Sequence, residues 1–137
     1  MLKCDAWVAY VKISIGEVNA KIGEVTEAVR LFHTALSIGN NMEDPLVICS
    51  SKYFLGTMSW SQGDMKDAMM KIEESMEIAK QHKFLKRIAE ATSFMAVINE
   101  ANGNYVDAKA QHQESIQLRV YFKKMSFTYD LGTTCAF

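Results

Sequence analysis

The feature that most constrains the fold of this chain is an internal repeat with a period of 40 residues. A shift of the sequence by that period superposes Gly23, Gly63 and Gly103, and each glycine is followed by an acidic or amide residue. An alanine stands five residues after each glycine, and apolar residues align on both sides of it. Such self-similarity is typical of proteins built by stacking copies of one supersecondary unit. The sequence therefore predicts three stacked units.

Each unit is predicted to be a hairpin of two amphipathic helices. Apolar residues recur at intervals of three and four on both sides of the glycine, which in unit two predicts helices over residues 46 to about 62 and about 65 to 82. The glycine suits the left-handed end of a helix, and the polar residue after it can cap the next one. The three repeats are predicted over residues 1–122, at about 5–39, 45–82 and 84–122.

The breaks between units differ in how clearly they are marked. At the first break, Gly39 is predicted to stop a helix, Asp44 to cap the next one, and Pro45 to occupy its first turn. The second break, around residues 81–83, contains no glycine, proline or capping residue, so its position is predicted only to within several residues. Residues 123–137 are predicted to form an apolar tail or a partial capping segment. Exposed ends of the stack would favour self-association, or continuation into further sequence.

Composition and charge limit the classes of function. The chain has 137 residues, of which 49% are hydrophobic and 23% charged, as in an ordinary globular protein. A net charge of -1 provides no field that would attract nucleic acid, so direct nucleic-acid binding is not expected. No apolar run approaches the roughly 18 residues that span a bilayer, and no signal peptide is evident, so an intracellular protein without membrane contact is predicted.

No motif for catalysis, a cofactor or a metal is found. Cys4, Cys49 and Cys135 are widely spaced and are predicted to be reduced packing groups. The three histidines lack the pairing of a helical metal site, and neither a phosphate-binding loop nor a nucleophile elbow occurs. We therefore expect no enzyme, no cofactor and no metal. A helical enzyme or a nucleic-acid binder is the rival, and its one local support is the basic cluster of Lys80, Lys83, Lys86 and Arg87.

The residues at the repeated positions resemble the tetratricopeptide repeat. In unit two these are the Leu55-Gly56 pair, the Gly63-Asp64 turn and Ala68. The resemblance implies an all-α, right-handed superhelical solenoid of three helical hairpins that acts as a protein-interaction scaffold. Three features depart from the pattern. The period exceeds the usual 34 residues or so, the usual tryptophan position holds Lys12, Lys52 or Thr92, and the usual tyrosine position holds Asn19, Ser59 or Asn99.

Among long-period members, residues 7 to 119 are similar to the C-terminal repeats of the tetratricopeptide subunit of the cohesin loader, the MAU chromatid-cohesion factor family. Residues 53–56 and 99–104 are the most suggestive stretches. This resemblance implies a nuclear fragment or truncated relative that acts in sister-chromatid cohesion, with the large HEAT-repeat subunit of the loader as its partner. The alternative is another long-period adaptor, in signalling or cell polarity, located in the cytoplasm.

In a stack of this kind the first helix of each hairpin lines a concave surface that can hold a peptide. Trp60 is the strongest candidate contact, since it aligns with Ala20 and Glu100 and so departs from the repeat. Aromatic residues at helical spacing more often belong to a core, and that interpretation stays open for each of them. The predicted peptide groove comprises Tyr10, Tyr53, Phe54, Thr57, Trp60, Phe94 and Val97, with Ile13, Ser14, Glu17 and Glu100 beside them.

Small residues inside the helices predict close crossings within each hairpin, because a glycine there costs about 1 kcal/mol against alanine and needs a reason. In each pair, the residue of the first helix is predicted to face the alanine of the second. The pairs are Gly16 with Ala28, Gly56 with Ala68, and Ala96 with Ala108.

The first prediction concerns one of these crossings. Ala68→Leu inserts a larger side chain where the helices are closest, so it should lower the free energy of unfolding by roughly 1–3 kcal/mol. Thermal unfolding monitored by circular dichroism measures the change. An unaltered melting temperature would contradict the close crossing.

Overall fold

The computed structural model describes the backbone of residues 2–135 and the side chains of residues 5–125. In this part of the chain the regular structure is entirely helical. The six helices are α1 (Leu2–Lys21), α2 (Val25–Met42), α3 (Pro45–Ser61), α4 (Met65–His82), α5 (Leu85–Ala101) and α6 (Tyr105–Cys135). They pack as three hairpins, α1 with α2, α3 with α4 and α5 with α6. The backbone of residues 123–135, predicted as a tail, continues α6, and residues 136–137 lie outside the described part.

The turn inside each hairpin is built in the same way three times. Gly23, Gly63 and Gly103 have φ angles of 91°, 86° and 81°, which confirms the predicted left-handed positions. Asp64 caps α4 by accepting a hydrogen bond from the backbone N–H of Asp67 at 3.0 Å. Glu24, at the same place in unit one, makes no side-chain cap.

At the junction between hairpins one and two, the predicted helix cap is confirmed and the predicted helix stop is wrong. Asp44 caps α3 by accepting from the backbone N–H groups of Leu46 and Val47, as predicted. Gly39 does not stop α2, which runs on to Met42. Gly39 is buried, and a Cβ atom at this position would lie only 2.8 Å from Cγ1 of Val47. The glycine is thus needed because α3 passes very close to α2.

Helices α2 and α4, which precede the two junctions between hairpins, each end at a non-glycine residue in the left-handed conformation. Glu43 follows α2 with a φ of 53°, and Lys83 follows α4 with a φ of 58°. The backbone N–H groups of both residues donate to carbonyls of the last helical turn. The second break therefore has the same geometry as the first, although its sequence carries no glycine or proline.

Within the hairpins, close crossings occur at the predicted glycines, but with partly different partners. The atoms nearest to a Cβ built on Gly16 belong to Phe32, at 2.6 Å, and not to Ala28. A Cβ on Gly56 would meet the side chain of Ile72 at 2.9 Å and the carbonyl oxygen of Ala68 at 3.3 Å. Side chains of a helix lean toward its N-terminus, so a residue one turn after the predicted alanine fills the space over each glycine.

A hydrogen bond joins the paired helices at one repeated position. Oγ of Ser75 in α4 donates to the carbonyl oxygen of Cys49 in α3 at 2.8 Å, and Oγ of Ser115 in α6 donates to that of Ala89 in α5 at 2.9 Å. These pairs are related by the repeat. In unit one the serine is replaced by Ala35, which is fully buried, so the crossing there is held by apolar packing alone.

The order of contacts between helices defines the inside of the stack. Hairpins join through α2 with α3 and α4 with α5, while α1 also contacts α3 and α3 contacts α5. Over the described residues, the second helices α2, α4 and α6 do not contact one another. The first helices therefore lie together on the inner side of the stack. The groove is predicted on these helices.

The left-handed residue at the second junction gives a prediction. The left-handed conformation is about 1–2 kcal/mol less favourable than the right-handed one for a residue other than glycine. Glycine avoids this cost, but it loses more conformational entropy on folding, which costs about 0.5–1 kcal/mol. Lys83→Gly should therefore stabilise the protein by about 0.5 kcal/mol, measured by urea unfolding. The control Glu77→Gly, at an exposed position inside α4, should destabilise it by about 1 kcal/mol. Destabilisation by both changes would contradict the junction geometry.

Candidate functional site

Four aromatic side chains, here called the aromatic cluster, lie on α3 and α5 where hairpins two and three meet. They are Tyr53, Phe54, Trp60 and Phe94, and all are half-buried. The ring of Phe94 meets the rings of Tyr53 and Trp60 edge to face, with centroids 6.2 Å apart in each case. Tyr53 and Phe54 form a similar contact at 5.1 Å. The cluster is therefore one connected surface and not four separate rings.

Phe54 anchors the cluster to the rest of the stack. Its ring stacks on Phe32 of α2 with centroids 5.2 Å apart. It thereby packs against a group of buried residues, here called the first core cluster, which consists of Ala9, Ile13, Ala28, Phe32, Ala35, Val47 and Leu55. The guanidinium of Arg87 lies over the same ring at 5.5 Å from its centroid, a favourable cation–π distance. Since Phe54 is covered on these sides, Tyr53, Trp60 and Phe94 are the rings better placed to meet a ligand.

The hydroxyl of Tyr53 lies in a partly desolvated, charged environment. Burial raises the pKa of Tyr53 to about 12, and the Glu90 carboxylate also raises it, whereas Arg87 and Arg119 act in the opposite direction. Arg87 is itself paired with Glu90 at 2.6 Å, and both side chains are about four fifths buried. The aromatic cluster thus borders an ion pair at the start of α5.

The remaining predicted groove residues are placed differently from one another. Tyr10 packs against the first core cluster, and burial, together with the charge of Asp44, raises its pKa. Oγ1 of Thr57 donates to the carbonyl oxygen of Phe54 at 2.7 Å, so this hydroxyl is already engaged within α3. Val97 on α5 is 37% exposed. Of the side chains predicted beside them, Ser14 and Glu100 are exposed and Glu17 is half-buried.

Ile13 was predicted to line the groove, and that prediction is wrong. Its side chain is only 4% exposed and belongs to the first core cluster. It lies one helical turn after Ala9, which is fully buried in the same cluster. Residues four apart share a helix face, so both point into the hairpin.

A cleft beside the aromatic cluster was not predicted as a site. It is formed where the start of α5 meets α6, next to the start of α3, and it has a volume of about 400 Å³. A smaller hollow of about 250 Å³ adjoins it and shares Lys86 and Phe122. We call the two together the basic cleft. Its side chains are Leu46, Lys83, Phe84, Leu85, Lys86, Arg87, Ala89, Glu90, Arg119 and Phe122.

One feature of the sequence points to this cleft. Lys83, Lys86 and Arg87 belong to the basic cluster singled out above, but the contribution of α6 requires the tertiary structure. Under the 40-residue shift, Arg119 aligns with Gly39 and Ala79, both buried small residues. Arg119 is thus a large basic residue at a position that is small in the other two units, and the repeat is locally broken there.

The part of the chain described by the structure contains no group of three or more His, Cys, Asp or Glu side chains arranged to hold a metal ion. His112 stands 3.8 Å from a carboxylate oxygen of Glu100. No helix in the same residues is both long and apolar enough to cross a membrane.

Comparison with known proteins bears on the fold. No protein-family model matches the chain, and no curated protein matches its sequence. Among solved structures, the crystal structure of the TPR domain of Arabidopsis FLU is similar, with a TM-score of 0.73 and 20% sequence identity. The match covers 89% of this chain and 99% of that chain. This chain has a TPR-like fold. The predicted all-α, TPR-like solenoid is thereby confirmed, and the aromatic cluster lies on the first helices of this TPR-like stack.

The raised pKa of Tyr53 gives a prediction about stability at high pH. The unfolded chain releases this proton near its ordinary pKa of 10.0, whereas the folded protein holds it to about 12. The stability that the buried neutral phenol contributes is present below pH 10 and is lost as the pH rises toward 12. Urea unfolding should show wild type losing stability relative to Tyr53→Phe over that range.

Tyr105→Phe is the control, because Tyr105 is 68% exposed. The pH-dependent change in stability relative to wild type should be larger for Tyr53→Phe than for this control. A constant difference between wild type and Tyr53→Phe from pH 9 to pH 12 would show that the phenol of Tyr53 is not desolvated.

Proposed function

We propose that the protein is a TPR-like interaction scaffold, without catalytic activity of its own, that holds an extended or helical peptide segment of another protein across its inner face. The observation that carries this proposal is the connected, half-buried surface of Tyr53, Trp60 and Phe94 on the first helices. Apolar side chains of the peptide pack on these rings.

Aromatic rings suit this role for two physical reasons. They offer a large contact area with few rotatable bonds, so little side-chain entropy is lost on binding. Their mutual edge contacts also hold them in place before the ligand arrives, which lowers the cost of ordering the site. Trp60 stands at a position where the other units have Ala20 and Glu100, so this surface is particular to the middle of the stack.

The basic cleft adds a charge preference to the same surface. Arg87 lies over Phe54 and also lines the cleft, so the two regions are continuous. Arg87 forms an ion pair with Glu90. Among the described residues, Lys83 and Lys86 form no ion pair, and both are exposed. An acidic residue next to the apolar anchors of the peptide would gain charge-assisted contacts there.

The most specific form of the proposal is a relative or fragment of the cohesin-loader tetratricopeptide subunit, located in the nucleus and bound to the large HEAT-repeat subunit. It rests on the sequence likeness over residues 7 to 119. The second form is a cytoplasmic long-period adaptor in signalling or cell polarity, and the 40-residue period supports both forms. Comparing proteins retained from nuclear and cytoplasmic extracts separates the two.

The peptide surface is tested by selecting peptides from a random display library and measuring their affinity by fluorescence anisotropy. Selected peptides should combine large apolar residues with an acidic one. Trp60→Ala should weaken them by about 10- to 100-fold, the range expected for loss of a central aromatic contact. Tyr105→Ala removes an exposed aromatic residue of α6 and should leave the affinity unchanged.

Equal affinity of wild type and Trp60→Ala for every selected peptide would contradict the proposed surface. In the extract experiment, retention of the HEAT-repeat loader subunit by wild type and its loss with Trp60→Ala supports the nuclear form. Retention of other proteins in the same Trp60-dependent way leaves the scaffold and removes that form.

A further inference from the structure

Helix α1 carries an exposed apolar surface on the side away from its hairpin partner. We call it the N-terminal stripe; its members are Trp7, Val8, Val11, Ile15 and Val18 of α1 and Ile22 of the turn that follows, and they are between 44% and 71% exposed. They recur at helical spacing and so form one continuous band. The charged residues of α1, such as Lys12 and Glu17, fall outside it. Contiguous apolar surface of this extent usually marks an interaction site.

Comparison with the aligned positions of α3 and α5 shows which contact this face makes in the other units. Under the 40-residue shift, Trp7 aligns with Val47 and Ile15 with Leu55, and both of these α3 residues are buried on the side of α2. Under a shift of 80 residues, Val8 aligns with Ile88, which packs with Ala79 of α4. The stripe is therefore the face through which a first helix joins the second helix of a neighbouring hairpin. In the described structure no helix covers it.

The opposite end of the stack combines exposed apolar residues of α6, among them Ile116 and Val120, with exposed charged ones. At the places where α2 and α4 have the small buried residues Gly39 and Ala79, α6 has the exposed Arg119. Lys109 likewise takes the place of the apolar Val29 and Met69. Packing α6 of one copy on the stripe of another would remove water from these charges without giving them partners. Head-to-tail stacking of copies is thus disfavoured.

The stripe is complementary to itself. In an antiparallel pair of α1 helices with a two-fold axis near Ile15, Val11 of one copy lies opposite Val18 of the other, and Trp7 opposite Ile22. Apolar side chains meet at these two pairs, and the Ile15 side chains of both copies lie next to the axis. The six exposed side chains offer at most on the order of 600 Å² per copy, below the roughly 800 Å² per partner of a standard interface, so a weak and reversible dimer is expected. Closed two-fold symmetry is also the commonest form of homo-oligomer.

We infer that the protein forms a two-fold symmetric homodimer through the N-terminal stripe. The two stacks meet at α1, so hairpins two and three, which carry the aromatic cluster, lie away from the axis and both grooves remain open. The dimer does not depend on peptide binding, and either could exist without the other.

Sedimentation equilibrium from low micromolar to several hundred micromolar protein tests this directly. Wild type should show reversible dimer formation. Val11→Glu places a charge in both halves of the interface and should raise the dimer Kd by at least about 100-fold. The control Val106→Glu makes the same change on α6, where Val106 is 83% exposed, and should leave the Kd unchanged. A monomer at every concentration, or a dimer that responds equally to both changes, would overturn the inference.

Cross-linking tests the geometry with a smaller change. In a background carrying Cys4→Ser and Cys135→Ser, Ile15→Cys places a thiol next to the two-fold axis and should give a covalent dimer under mild oxidation. Val106→Cys in the same background should stay monomeric. Cross-linking that is equally efficient at both positions reports random collision and would overturn the antiparallel pairing. Circular dichroism verifies that each variant is folded.

Discussion

The structure depends on helices that approach one another closely over residues with little or no side chain. Phe32 fills the space over Gly16, Ile72 the space over Gly56, and Val47 the space over Gly39. The first two contacts set the crossing within a hairpin, and the third sets the approach of one hairpin to the next. Because these contacts fix both spacings, the three first helices come together on the inner side of the stack, and the aromatic cluster can form only there.

The repeated positions build the stack, and the positions that depart from the repeat carry its distinctive surfaces. Trp60 stands where the other units have alanine and glutamate, and Arg119 replaces a small buried residue. The N-terminal stripe is a different case: in units two and three the same face of the first helix joins the preceding hairpin, whereas no helix of the described structure covers it in unit one. A scaffold of identical units would offer one surface three times, whereas this one offers an aromatic surface, a basic cleft and an apolar end.

Much of the fold was predictable from sequence because the repeat supplies the same evidence three times. The glycines of the hairpin turns and the cap at Asp44 follow from local backbone chemistry, and the structure confirms them. The failures concern tertiary context. The sequence predicts a helix stop at Gly39, whereas the role of this glycine is set by Val47 of the next helix. Ile13 could not be assigned to the core without knowing which face meets α2. The charges of Glu90 and Arg119 that influence the Tyr53 hydroxyl lie on two other helices, and no spacing along the sequence predicts this arrangement.

The two tryptophans of the chain report separately on its two apolar surfaces, Trp60 in the aromatic cluster and Trp7 in the N-terminal stripe. The most direct measurement is therefore a ¹H–¹⁵N correlation spectrum of their indole N–H groups during titration with a display-selected peptide at constant protein concentration. The Trp60 signal should shift on binding while the Trp7 signal stays in place. A Trp60 signal that does not move at saturating peptide would contradict the claim that the inner aromatic cluster is the binding surface.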